Sequence, residues 1–246
     1  MKNQFSDNIS LVLSVLFFMG LEFLTVTWSF YWYYFGLIVF LVIVGTLLTQ
    51  REDVKARGPH VMILPLSYIG SVFLFHLYVS QGLLQQAFIV LATLGFYFLV
   101  ARGIEWAFPT WNWFFTSVTF FLFTAGAYGL RFHLQFPLWA VILLVGVITF
   151  LLSYHVLVRA ELPTSASVFW SFLLALIMSE FLGGFAFLPI SYLVVSGSLF
   201  VLFYVAIHLL QRHLYKELSR RFAMEYMIFG LVAISIILLT ARWSVV

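Results

Sequence analysis

Glu22, His76 and Glu180 each interrupt an otherwise apolar run, and Arg131 and His133 stand just beyond a fourth. These residue types can do chemistry. A carboxylate beside an imidazole passes a proton, several of them together hold a metal, and a guanidinium among them clamps a charged headgroup. If the runs cross a bilayer, an ionised group within one is costly, about 2.5–3.5 kcal/mol at the centre of a span. Glu22 is the most exacting case, because it lies deepest and its own run, 9–27, holds no basic residue. If the ends of these runs converge, two carboxylates, two imidazoles and one guanidinium line one outward-facing cavity. The plainer reading is that each snorkels to a nearby interface or pairs structurally.

A second pattern is basic. His208, Arg212, Lys216 and Arg220 recur every fourth residue, which on a continuous helix puts them on one face. Glu217 and Arg221 add an i,i+4 pair on another face. The spacing predicts a helix that continues past the bilayer and turns a basic stripe toward anionic headgroups, each cation contributing about 1 kcal/mol. Docking of an acidic partner is the alternative. His155 and His208 lie at matching depth, as a bis-histidine haem would need, but nothing else points to haem, and no cofactor or metal is expected. Ala125 and Gly129, with Gly126 beside them, allow close helix packing.

Other chemistries are excluded by what is missing. The chain has no cysteine, which removes disulfides and thiolate sites. No apolar run contains a lysine for a retinal Schiff base, and the only aspartates are Asp7 and Asp53. Metal-dependent glycosyl or phosphoalcohol transfer usually gathers more. There is no H-E-x-x-H helix, G-x-S-x-G elbow or phosphate-binding glycine loop.

The elements that must position these residues follow from composition. Hydrophobic residues make up 64% of the 246 and charged residues 9%. Soluble domains carry roughly 25% charged residues, so there are too few here to cover a water-facing surface. Unbroken apolar runs exclude a β-barrel, whose strands alternate. The sequence predicts an all-α polytopic bundle, one transmembrane domain over 1–246. Its nine spans lie near 9–27, 31–48, 61–79, 84–101, 114–130, 137–157, 166–182, 188–210 and 223–241. The segment TQREDVKARGPH (49–60) reads as a loop, and Ser80-Gln81-Gly82 and Gly183-Gly184 as turns. Pro65 either kinks the third span or marks its beginning. The first run reads as a retained span, with Leu21, Glu22 and Phe23 where a leader's cleavage site would stand.

Charge orients this reading. With the N-terminus inside, Lys2, Arg51, Lys55, Arg57, Arg102, Arg159, Arg212, Lys216, Arg220 and Arg221 are cytoplasmic, leaving Arg131 and Arg242 outside. Ten of the twelve basic residues then share one side, as the positive-inside rule requires, with the C-terminus outside. Tryptophan agrees. Trp28, Trp32, Trp139 and Trp243 fall at outer boundaries, and Trp106, Trp111, Trp113 and Trp170 at inner ones, so Trp106–Phe115 reads as an interfacial stretch. No internal repeat of the transporter kind is visible.

The stretch from SFLLALIMSEFLGGFAFLPIS through LLQRHLYKELSRRFAMEYMIFGLVAISIILLTARW resembles an uncharacterised family of bacterial multi-pass membrane proteins. The shared pattern is an outer-end glutamate, a proline-started helix, a basic hairpin and a terminal LLTxRW, extending more weakly over most of the chain. The resemblance implies a bacterial plasma membrane and no activity. The reading that results is a non-catalytic membrane component or complex subunit, in contact with anionic cytoplasmic headgroups and a protein partner, and not with nucleic acid. The alternatives are a carrier or channel for a lipid or small solute, and an enzyme acting on a lipid-linked substrate, both using the outer Glu/His cluster.

Overall fold

The computed structural model describes residues 2–26, 32–101, 109–241 and 243, with side chains from 8–25, 36–51, 53–100, 111–241 and 243. Trp28, Trp106, Arg102 and Arg242, used above to orient the chain, lie outside the described residues, as do the side chains of Lys2 and Trp32. Every described element is helical: α1 (Lys2–Val26), α2 (Trp32–Thr49), α3 (Arg51–Arg57), a 3₁₀ turn (Pro59–Met62), α4 (Ile63–His76) and α5 (Leu83–Ala101). Then come α6 (Pro109–Leu134), α7 (Leu138–Arg159), α8 (Thr164–Phe185), α9 (Tyr192–Leu214) and α10 (Arg220–Thr240). Eight described segments are long and apolar enough to cross a bilayer, so the protein is an all-α, polytopic, membrane-embedded chain. The expected span 31–48 falls on α2, whose described apolar part, Gly36–Thr49, is shorter than the rest.

Three local expectations change. The segment read as a loop at 49–60 contains α3, because Arg, Glu, Lys and Ala form helix readily, and Gly58, at φ +106°, stops it. Gly183 and Gly184 do not form a turn. Both stay in α8, which runs on to Phe185, and the chain reverses just before Pro189. The basic stripe is not one helical face. α9 ends at Leu214, Lys216 takes a left-handed conformation at φ 58°, and the Ser219 hydroxyl caps α10 by accepting from the Phe222 N–H at 3.1 Å. Pro65, by contrast, stands in the first turn of α4, where its missing N–H leaves no bond unmade.

The chain forms two compact units, Met1–Thr119 and Phe120–Val246. In the first, α1 packs on α2 and α5, and α4 on α2 and α5. Its centre is aromatic: the fully buried Phe17 ring lies 4.6 Å from Phe96, stacked, and 5.1 Å from Phe73, edge-on. The Tyr68 hydroxyl donates to the Ala92 carbonyl at 3.0 Å, an approach that only glycine at 95 permits, since a Cβ there would collide with the phenol.

In the second unit α7 and α8 form a hairpin, and α9 packs on α8 and α10. Phe120 and Phe203 stack at 4.2 Å. α10 touches α9 through Gly230, where a Cβ would meet Val205 at 2.9 Å, and Gly230 is its only buried residue. The small-residue stretch 124–129 of α6 is buried throughout.

Many hydroxyls inside spans are satisfied locally. Ser14, Thr46, Thr119, Thr124, Thr149, Ser153 and Ser196 each donate to the carbonyl four residues back, at 2.5–2.9 Å. Ser167, Ser171 and Ser198 are fully buried in the second unit and make no such bond.

Candidate functional site

The five residues expected to form an outer cluster divide between the two units. Glu22 and His76 belong to the first, Arg131, His133 and Glu180 to the second. Glu22 is one turn from the end of α1, and His76 is the last residue of α4. α5 begins nearby at Leu83, and its Gln86 Nε2 stands 3.5 Å from Glu22 Oε2. Thr25 Oγ1 donates to the Glu22 carbonyl at 2.6 Å and lies 3.4 Å from the same carboxylate oxygen. Both contacts to the carboxylate are long and neutral, at the outer limit for hydrogen bonds.

His76 forms the inner wall of this site. The residue is 3% exposed, and its ring stacks on Phe88 at a centroid distance of 6.0 Å. The Leu21 backbone and the Glu22 carboxylate act on the ring. Neither ring nitrogen, however, makes a hydrogen bond of good geometry. A carboxylate, an amide, a hydroxyl and an imidazole thus meet where three helices of the first unit end or begin. Gln86 and Thr25 escape the sequence reading. Their signal is the amide pair Gln85-Gln86 in an otherwise apolar segment, and a threonine one turn after Glu22.

The remaining residues do different things. The Arg131 guanidinium acts on the neighbouring Tyr128 phenol, whose residue is 5% exposed. The exposed His133 ring lies 5.3 Å from Phe132 and 5.5 Å from Tyr192, edge-on to both. Glu180 is exposed on α8, flanked by the exposed apolar residues Leu176, Ile177 and Phe181.

The basic residues split at the break between α9 and α10. Arg212 pairs with Glu217 at 2.5 Å, and Arg221 with Glu225 at 2.9 Å, so the acidic partner of Arg221 is Glu225 rather than Glu217. The guanidinium of Arg212 also lies 5.2 Å from the Phe222 ring centroid. His208 is set apart from the exposed cations. Its ring lies 4.3 Å from Tyr204 and 5.6 Å from Tyr226, and Phe222 stacks on Tyr226 at 4.4 Å. A tyrosine four residues before the histidine is the signal for this aromatic group.

Lys216, Arg212 and Arg220 are all exposed. Beside them the Tyr215 hydroxyl donates to the Ala160 carbonyl at 2.6 Å, tying the end of α9 to the end of α7. Burial, with the Glu161 and Glu217 carboxylates, raises the Tyr215 phenol above its ordinary pKa. His155 is fully buried on α7, and among the described residues no three histidine or carboxylate side chains gather as a metal site.

The family described as "Protein of unknown function (DUF5656)" matches residues 10–240, so the chain belongs to that family. No curated protein and no solved structure matches it.

Proposed function

From membership in a family whose description assigns no activity, we propose that this chain is a non-catalytic membrane component, a subunit whose exposed helix faces are completed by a partner. One observation carries the reading: Glu180 is exposed among apolar side chains on a membrane-crossing helix, with no ion pair among the described residues. Lipid tails offer a carboxylate nothing, whereas a neighbouring helix can supply a donor or a cation. α10 supports the same reading, since only Gly230 of its residues is buried. Coverage by lipid alone is the competing outcome.

In this proposal the chain lies in a bacterial plasma membrane as a single nine-span domain, N-terminus inside and C-terminus outside. Lys216, Arg220 and the neighbouring Arg212 then meet anionic cytoplasmic headgroups, by Coulomb attraction that salt weakens. The absence of cysteine makes the topology directly testable. In a Ser80→Cys variant an impermeant maleimide should label intact cells. In an Asp53→Cys variant labelling should need permeabilisation, and the reverse pattern would overturn the orientation. The subunit reading is tested by the native mass of the chain drawn from its own membrane in lipid nanodiscs. A discrete complex of larger mass is expected, and a lone chain with lipid would contradict it.

A further inference from the structure

Glu22 poses a separate question, because among the described residues of the first unit no cation stands beside its carboxylate. The unit's described basic side chains, Arg51, Lys55 and Arg57, are on α3, between the end of α2 and the start of α4. Glu22 and His76 lie at the far ends of α1 and α4, so these cations are a full span away. The polar atoms that meet its carboxylate oxygen are neutral, Thr25 Oγ1 at 3.4 Å and Gln86 Nε2 at 3.5 Å. A partly buried carboxylate held this way is short of strong donors.

The second, independent observation is His76. Its ring is held by Phe88 and almost wholly buried, yet neither nitrogen makes a well-formed hydrogen bond. Imidazole, carboxylate and the Gln86 amide oxygen are all acceptors, or can be, and they come from three helices. One full negative charge with neutral acceptors around it suits a single positive charge that carries several N–H groups. A primary ammonium has three such donors. A phosphate would be repelled by the carboxylate. A trimethylammonium has the charge but no N–H to give.

We propose that this end of the first unit binds the protonated amine of an aminophospholipid headgroup. Glu22 makes the ion pair, the Gln86 amide turns its oxygen to the ammonium, and His76 supplies the innermost acceptor. A lipid rather than a free amine is favoured by what lies beside the site. Met19, one turn before Glu22 on α1, is 55% exposed, and Leu84 and Val90 on α5 are 72% and 49% exposed. Acyl chains can cover those side chains while the amine stays at the helix ends.

The test uses the full-length chain in neutral detergent, with native mass spectrometry to measure binding of three lipids sharing the same acyl chains. Phosphatidylethanolamine should bind roughly tenfold more tightly than phosphatidylcholine, the difference expected of one charge-assisted hydrogen bond. Phosphatidylglycerol should bind no better than phosphatidylcholine at this site. Glu22→Gln should remove the preference for the ethanolamine lipid. Gln86→Glu, which adds an acceptor charge, should widen it, and this variant decides the matter if Glu22→Gln does not fold. Equal binding of the ethanolamine and choline lipids to the unaltered protein overturns the proposal. So does a preference that survives Glu22→Gln or is not widened by Gln86→Glu. Free ethanolamine competing as well as the lipid would make the ligand a soluble amine and overturn the lipid assignment.

Discussion

The two units treat a membrane-embedded carboxylate in opposite ways. In the first, Glu22 is partly buried against Thr25 and Gln86, with His76 behind it. In the second, Glu180 stands exposed on an apolar helix face. The same contrast runs through the cores. α1, α4 and α5 meet around Phe17, Phe73 and Phe96, whereas α10 buries only Gly230 and otherwise meets α9 through half-buried rings such as Tyr226. An intramembrane charge is therefore not one kind of signal. Where helices gather around it, it points to a ligand, and where it faces outward, it points to a neighbour.

The largest effect that sharpens this comparison is expected in the aromatic core. Phe17→Ala should lower stability in detergent by about 2–4 kcal/mol, because it deletes packed contacts with two rings and leaves a cavity. Ile228→Ala on α10, whose side chain is 62% exposed, should change it by less than about 0.5 kcal/mol. Comparable losses at the two positions would erase the distinction between the units. Gly95→Val should come next, at about 1–3 kcal/mol, since the added carbons strike Tyr68 and displace its bond to Ala92. Gly184→Ala, with nothing within 4 Å of the added carbon, is the matched control and should be close to neutral.

Smaller effects lie at the helix ends of the second unit. Glu161 and Lys216 each adopt φ 58° just after a helix, where their neighbours close the turn with bonds from the Leu162 N–H to the Leu157 carbonyl and from the Glu217 N–H to the Arg212 carbonyl. Glycine carries no Cβ penalty in that conformation, so Glu161→Gly and Lys216→Gly should each raise stability by up to about 1 kcal/mol in thermal melts. Tyr215 is the smallest expected case. Its neutral phenol donates the bond to Ala160, and its pKa in the folded protein is raised. The contribution is therefore fully present below the ordinary tyrosine value of about 10 and disappears as pH climbs through the raised one. Tyr215→Phe should cost about 0.5 kcal/mol at pH 7, and the difference from the unaltered chain should vanish in strong alkali.

Much of this fold was legible because apolar runs between polar breaks are an unambiguous signal for spanning helices. What was not legible depended on helix neighbours and on single residues at helix ends. The depth of Glu22 and His76 can be read from their runs, but their adjacency needs α1, α4 and α5 to share one unit, which no local spacing encodes. The basic stripe failed for a different reason. Four-residue spacing continues unbroken from His208 to Arg220, yet the chain between them stops one helix and caps another. The capping serine at 219 was the available cue. At Gly183-Gly184 the error ran the other way, because glycine permits a turn without requiring one.

Whether the exposed helix face carrying Glu180 meets another protein is decided by a photo-crosslinking residue in place of Glu180, activated in the native membrane. A protein partner on this face gives a crosslink to a defined membrane protein at this position, and none from the same probe at the fully buried Phe96. Crosslinks to lipid alone at position 180 would contradict it.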